Sequence, residues 1–322
     1  MSRIVGALVL AAGLAACEPI DDGGGGGGGG GGSVLFTHGF AFVRESDRNV
    51  YVVDDTGDPN SPQRLTTIGG ASEPAVTRNG RLVVFVHQIA TGFELQTVPT
   101  DGSAQPSTVF ASGAAGCSGC TNFRYPTFNP AGTAIVFAFN RGSGNFALGK
   151  VNTDGSGFQV LTNDPATSYG GASFFPDGQS VLVPTGSTST QLSQLQRVSL
   201  SGTPSTIVSN NLGNEVLWVV NRAVVSPDGQ QVALDGRLSS GGSRIFVGAL
   251  SSVSTSLSRV TEHAGESGAR DTFPSWMSSS QVGFLSDAGG ASNIYRVTVP
   301  TTSPGPGTLL IPSASDPFYG GT

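Results

Sequence analysis

Apolar and polar residues alternate with a period of two over short stretches of this chain, and no stretch of useful length carries the period of a helix. NVYVVDD, FELQTVP, FALGKVN and NIYRVTV read as strands of about five residues, separated by turn-forming residues. In SFFPDGQSVLV, at 173–183, Pro176-Asp177-Gly178 fits a tight turn. Proline presets the first central position, and glycine can take the left-handed conformation that closes a three-residue hairpin. AVVSPDGQQVAL, at 223–234, repeats the arrangement with Pro227-Asp228-Gly229. Weaker copies surround Arg78-Asn79-Gly80 and Pro130-Ala131-Gly132, and SWMSSSQVGFL carries a decayed one at Met277-Ser278-Ser279. These turns end at 80, 132, 178, 229 and 279, in steps of 52, 46, 51 and 50 residues.

Each repeat continues with a third strand, a second turn and a fourth strand. Thr100-Asp101-Gly102 and Thr153-Asp154-Gly155 mark the second turn; QRLTT, FQVLTND and SRVTEH are fourth strands. Four short antiparallel strands in about fifty residues make a propeller blade, and residues 33–322 hold about six. The expected fold is therefore all-β, a six-bladed β-propeller of four-stranded antiparallel sheets. The first repeat, residues 33–70, has only VLF ahead of its second strand, FAFVRES. The chain ends ASDPFYGGT, which matches the ASEPAV that opens the second repeat, so the tail is expected to supply the missing strand and close the ring.

An apolar strand leading into Ser-Pro-Asp-Gly, an IVF-like strand, Thr-Asp-Gly and a closing Leu-Thr together resemble the repeats of TolB-like, WD-repeat-like propellers. They also resemble the amino-terminal propellers of prolyl-oligopeptidase-type peptidases. The resemblance spans nearly all of 33–322 and rests on turn and core residues, so it implies architecture and leaves function open. TolB proteins carry an α/β domain before the propeller and the peptidases a hydrolase domain after it. Here a glycine tract precedes the repeats and no further domain is expected, so the resemblance does not extend to the Tol system or to peptidase activity.

The chain begins MSRIVGALVLAAGLAACEP, with Arg3 followed by 13 apolar or small residues. A membrane span needs about 20, so residues 1–16 read as a lipoprotein signal peptide. Leu14-Ala15-Ala16-Cys17 resembles a lipobox, which makes Cys17 the lipid acceptor. Residues 17–32 include ten consecutive glycines, a flexible tether with a span of about 17 Å. The expectation is a protein of a Gram-negative cell envelope, held by lipid at the outer membrane and facing the periplasm or the cell surface. Its partners are then the membrane and an envelope protein or peptide.

Charged residues are 12% of the chain, the formal net charge is −6, and the sole lysine is Lys150. A phosphate-tracking surface needs clustered cations, so nucleic acid is not an expected partner. With Cys17 lipidated, Cys117 and Cys120 form an even pair, expected as a disulfide that stiffens the loop at 112–122. Redox use or zinc binding would need a helix N-terminus or two further ligands, and neither is visible nearby.

In such a blade the Pro-Asp-Gly and Thr-Asp-Gly turns lie on one face, and the longer connections on the other. Recognition is assigned to the second face, where Glu73, Arg124, Tyr125, Arg270 and Asp271 stand as candidate binding residues. The plainer reading is that these residues cap strand ends and pair with one another. GNFALGK, at 144–150, has Val151 where a P-loop has serine or threonine, and GESGA is not a nucleophile elbow. His38, His87 and His263 fall in different repeats, and the Asp-rich turns lack the spacing of a calcium loop. No catalytic residue, metal or cofactor is expected. The leading reading is a non-enzymatic protein- or peptide-binding scaffold. The alternative is a carbohydrate-active or hydrolytic propeller with a site in the central channel, using residues such as His87, Arg124 and Asp271.

Overall fold

Second strands of the repeat are the most apolar segments of the chain, and burial on both faces is the cause. Ala134–Asn140, AIVFAFN, is buried at its first six positions, and Leu82–Ile89 is buried through its centre. Neighbouring sheets cover both faces of these strands, so a polar side chain has no solvent-facing position there. Alternation by two persists in third strands such as Asn293–Thr298 but gives way to continuous burial in the second.

The computed structural model describes residues 36–321 except 141, 143, 163, 202–205 and 267. The expected signal peptide (1–16), the lipid acceptor Cys17 and the tether (17–32) lie outside the described residues. Six antiparallel sheets follow one another, and the inner strands of successive sheets are neighbours, which closes a ring around a central channel. Blade 2 is typical, with Ala71–Val76 innermost, then Leu82–Ile89, Gly92–Pro99 and Ser107–Ala111. The inner strands of blades 3, 5 and 6 are Thr121–Phe128, Val216–Val225 and Asp271–Ser278. Blade 4 has its inner strand in two pieces, Ser168–Tyr169 and Ser173–Phe174, both paired with Ser180–Gly186. The molecule is the six-bladed β-propeller that the repeat spacing predicts.

Blade 1 takes its inner strand from the other end of the chain. Ser315–Gly320 lies antiparallel to Gly39–Val43, with Gly320 opposite Gly39 and Ser315 opposite Val43. The Tyr319 ring meets Phe40 edge-on at 5.1 Å, and its hydroxyl donates to Asp55 at 2.6 Å. Ring closure by the tail, expected from the ASDP and ASEP copies, is the observed arrangement.

The hairpin glycines Gly80, Gly132, Gly178 and Gly229 all have φ between 68° and 75°, as the turn reading requires. A Cβ at Gly178 would sit 3.3 Å from Pro130, and one at Gly229 3.4 Å from Pro176, so each turn rests on the turn of the preceding blade. Two expectations need correction. In blade 6 the inner strand runs through Ser278, which pairs with Gln281, so the turn is Ser279-Ser280 and not Met277–Ser279. On the opposite face the connection within blade 2 is shorter than the sequence suggests: Ile89 pairs with Gly92 across two residues, because strong β-formers extend the ladder.

Candidate functional site

Five inner strands lose their register partway along, between Ser72 and Ala75, Thr121 and Thr127, Val219 and Ala223, Thr272 and Ser275, and Ser315 and Phe318. At four of these bulges a residue other than glycine holds φ near +50°: Glu73, Tyr125, Phe273 and Asp316. Proline follows each of them. Such backbone is unfavourable for these residue types and persists only where the surroundings enforce it. At three of the four a carboxylate reaches across from a neighbouring blade to hold the backbone N–H. Asp316 Oδ2 of blade 1 accepts the Glu73 N–H at 3.2 Å, and Glu73 Oε2 of blade 2 accepts the Tyr125 N–H. Asp235 Oδ2 of blade 5 accepts the Phe273 N–H of blade 6 at 3.1 Å. In blade 4, Gly171 stands in the equivalent place and donates its N–H to Asn221 O at 2.8 Å.

These groups close the channel. Blades 3 and 6 are diametrically opposed in a ring of six, yet the Tyr125 and Phe273 rings lie 6.4 Å apart. The Tyr125 hydroxyl donates to Asn221 Oδ1 at 3.0 Å, and Arg222 reaches from blade 5 to Phe273 O at 3.2 Å and Pro317 O at 2.6 Å. Below this plug the channel holds a cavity of about 190 Å³ that continues past Pro74, Pro126, Phe174 and Trp276 to the tight-turn residues Arg78, Pro130 and Pro176. The cavity therefore leads to the tight-turn face, not to the face given the recognition role from sequence.

Burial shapes the electrostatics of the plug. It pushes the Glu73, Asp235 and Asp316 carboxyls above the ordinary carboxylate range and the Tyr125 phenol above its own, against the pull of the hydrogen bonds they receive. Burial opposes charge on Arg124 as well, but its ion pair with Glu73 holds the guanidinium charged. Arg222 is pushed down to about 10 by burial and stays protonated at neutral pH.

Of the residues proposed from sequence, the structure brings Glu73, Arg124 and Tyr125 together in the plug. Arg270 is exposed, and only its backbone is held, by Asp287. Asp271 is fully buried against His263 Nε2 at 2.8 Å, two positions before the bulge. Sequence reasoning missed Asn221, Arg222, Asp235, Phe273 and Asp316. Aligning the residue before proline in Glu73-Pro74, Tyr125-Pro126, Phe273-Pro274 and Asp316-Pro317 would have found two of the five. The other three sit in blade 5, which carries no such proline. Cys117 and Cys120 are joined as a disulfide with Cα atoms 5.2 Å apart, and both are buried in a cluster with Phe110, Phe123 and Phe137.

The histidines face separate carboxylates, His38 with Asp55, His87 with Glu94 and His263 with Asp271. Among the described residues no group of three or more His, Cys, Asp or Glu side chains is placed to share a metal ion. Ser286, His263 and Asp271 are triad residue types in contact, but serine and aspartate both meet Nε2 of the imidazole. A relay needs the two ring nitrogens to serve different partners, so this cluster cannot pass a proton from Ser286 to Asp271.

Fold and channel define a six-bladed propeller that resembles in structure those of TolB and of puromycin-hydrolyzing peptidases. Among solved structures, TolB from Acinetobacter baumannii is similar at 14% identity and TM-score 0.61, over 88% of this chain and 66% of that one. An oligogalacturonate lyase from Vibrio parahaemolyticus is similar at 15% identity and TM-score 0.56, over 83% and 77%. A puromycin-hydrolyzing peptidase of Mycobacterium tuberculosis gives 17% and 0.56, over 85% of this chain and 43% of that one. This chain thus spans under half of the peptidase and 66% of the TolB chain. No family model and no curated protein matches the sequence. At these identities the likeness is one of fold, and the fold serves both binders and enzymes.

Proposed function

We propose that this propeller is a non-enzymatic scaffold of the bacterial envelope, tethered through Cys17, that binds a protein or peptide in the channel mouth on its tight-turn face. The observation that carries the reading is the cavity itself: a small pocket closed at its inner end, whose walls mix prolines and aromatics with polar groups such as Ser173, Ser226 and Arg222. Carboxylates do converge in the channel, as a hydrolytic or carbohydrate-active site would require. Those with well-defined partners, however, are engaged. Both oxygens of Glu73 and both of Asp235 accept hydrogen bonds from the protein itself, which favours a structural role for them over one in catalysis. Their role in this reading is to hold blades together.

Photo-crosslinking in intact envelopes tests the proposal. A photoreactive side chain at Arg78, on the mouth, should trap a discrete partner, and one at Ser239, on the opposite face, should not. Adducts from Ser239 alone would return recognition to the opposite face, and turnover of an oligosaccharide or peptide substrate by the purified protein would replace binding with catalysis.

A further inference from the structure

Arg222 stands out among the buried charges. It is 8% exposed, lines the inner end of the cavity, and has its guanidinium between the Phe273 and Phe318 rings, 5.4 Å from each. Its Nη2 donates to Phe273 O and Pro317 O, but its Nε is buried without a hydrogen-bond partner. Among the described residues no carboxylate lies within 4.0 Å of its guanidinium nitrogens, in contrast to Arg124, which is paired with Glu73; Asp235 accepts only its backbone N–H. Asp235, Glu73 and Asp316 act on its charge from farther off, but none is in direct contact with the guanidinium, and a buried cation without a contacting anion is costly.

We propose that Arg222 anchors the C-terminal carboxylate of a peptide whose last, apolar residue fills the channel cavity. Planar guanidinium suits a carboxylate better than a point charge would. Only a chain end fits, because the Tyr125–Phe273 contact blocks the channel beyond Arg222. About 190 Å³ is small for a ligand pocket, with room for about one large side chain and its carboxylate. Pro126, Phe174, Val224 and Trp276 line its walls and favour an apolar one. Peptide backbone farther out would run past Ser173 and Ser226 toward the mouth. This inference rests on the channel-binding reading and specifies what the channel reads.

The test is titration calorimetry on the full chain with N-acetyl-Ala-Ala-Phe, the same tripeptide as its C-terminal amide, and 3-phenylpropionate. The acid should bind at least about tenfold more tightly than the amide and than 3-phenylpropionate, since one charge-assisted contact is worth about a factor of ten. In Arg222→Gln the ratio of acid to amide should fall to about one, while Arg222→Lys should keep part of it. Equal affinity for acid and amide, no binding of the acid tripeptide, or retained discrimination in Arg222→Gln would each overturn the proposal. Equal affinity for 3-phenylpropionate and the tripeptide would overturn the peptide assignment and leave a small-acid site. The wild-type comparison decides even if the glutamine variant does not fold. Specific adducts at Arg78 alongside equal acid and amide binding would leave the channel-binding reading intact and sink only this inference.

Discussion

The two ends of the inner strands are built on opposite principles. At the turn end the blades repeat one device: a glycine with φ near 70°, reinforced in several blades by an aspartate or asparagine that accepts the N–H two residues on, as Asp177 does for Gln179 and Asp228 for Gln230. At the plug end the equivalent positions are Glu73, Tyr125, Gly171, Arg222, Phe273 and Asp316. Reversal of the backbone is the same task in every blade, so it selects the same residues. Filling the centre of a ring is one task shared among the blades, so each contributes a different group.

The sharpest break between the two ends should come from the tail, which serves both. Deletion from Asp316 onward removes the inner strand of blade 1, the acceptor for the Glu73 N–H and the Pro317 carbonyl held by Arg222. We expect a loss of roughly 4 kcal/mol or more, with aggregation at the exposed edge of Gly39–Val43. Thermal unfolding and light scattering read both effects, and an unchanged midpoint would contradict ring closure.

Next in size is Asp235→Ala. Asp235 is fully buried and takes four donors, the N–H groups of Asn221, Arg222 and Phe273 and the Asn221 amide. Leaving them unmet should cost roughly 3–5 kcal/mol. Alanine at the exposed turn residue Asp177 is the control and should shift stability by well under 1 kcal/mol, because its partners can turn to water. If the two substitutions shift the unfolding midpoint equally, the contrast between plug and turns is wrong.

Gly178→Val and Gly229→Val probe the turn end, with an expected loss of roughly 1–3 kcal/mol each from the positive φ. Gly80→Val should lose more in the same denaturant titration, since a Cβ there would meet Thr37 O at 2.3 Å.

The smallest effect is on pH dependence, and its sign differs between the ends. Hydrogen bonds from Ser103, Ser156 and Ser226 hold Asp101, Asp154 and Asp228 below the ordinary carboxylate value. Their contribution is present above the unfolded value near 3.9 and is lost as pH falls through the lowered ones. Burial raises Glu73, Asp235 and Asp316, so the folded state takes up protons more readily there and stability falls as pH rises through their window. Midpoints measured across pH should therefore rise modestly on acidification from neutral and then drop. A monotonic fall from neutral pH would mean that the plug carboxylates titrate like exposed ones.

This contrast also explains what was legible in the sequence. Blade number, strand order and the shared first blade could be read because Pro-Asp-Gly and ASDP or ASEP recur with local meaning. Glu73, Arg124 and Tyr125 could be found because they stand where inner strands enter from the loop face. Arg222 and Asp235 could not, since each is a polar residue in a mostly apolar strand with partners in other blades, up to 95 residues away, that no local motif announces. The side on which the cavity opens was not legible for a similar reason: loop length says nothing of it, because the course of the channel is set by which side chains meet across the ring.

Amide hydrogen exchange on the protein with and without the partner recovered by crosslinking at Arg78 tests the channel-binding account most directly. The account expects slowed exchange along 126–130, 173–176 and 224–227, the segments that line the open part of the cavity, and no change in 112–120 or 236–242 on the opposite face. Protection confined to 112–120 and 236–242, with the cavity segments exchanging as in the free protein, would contradict it.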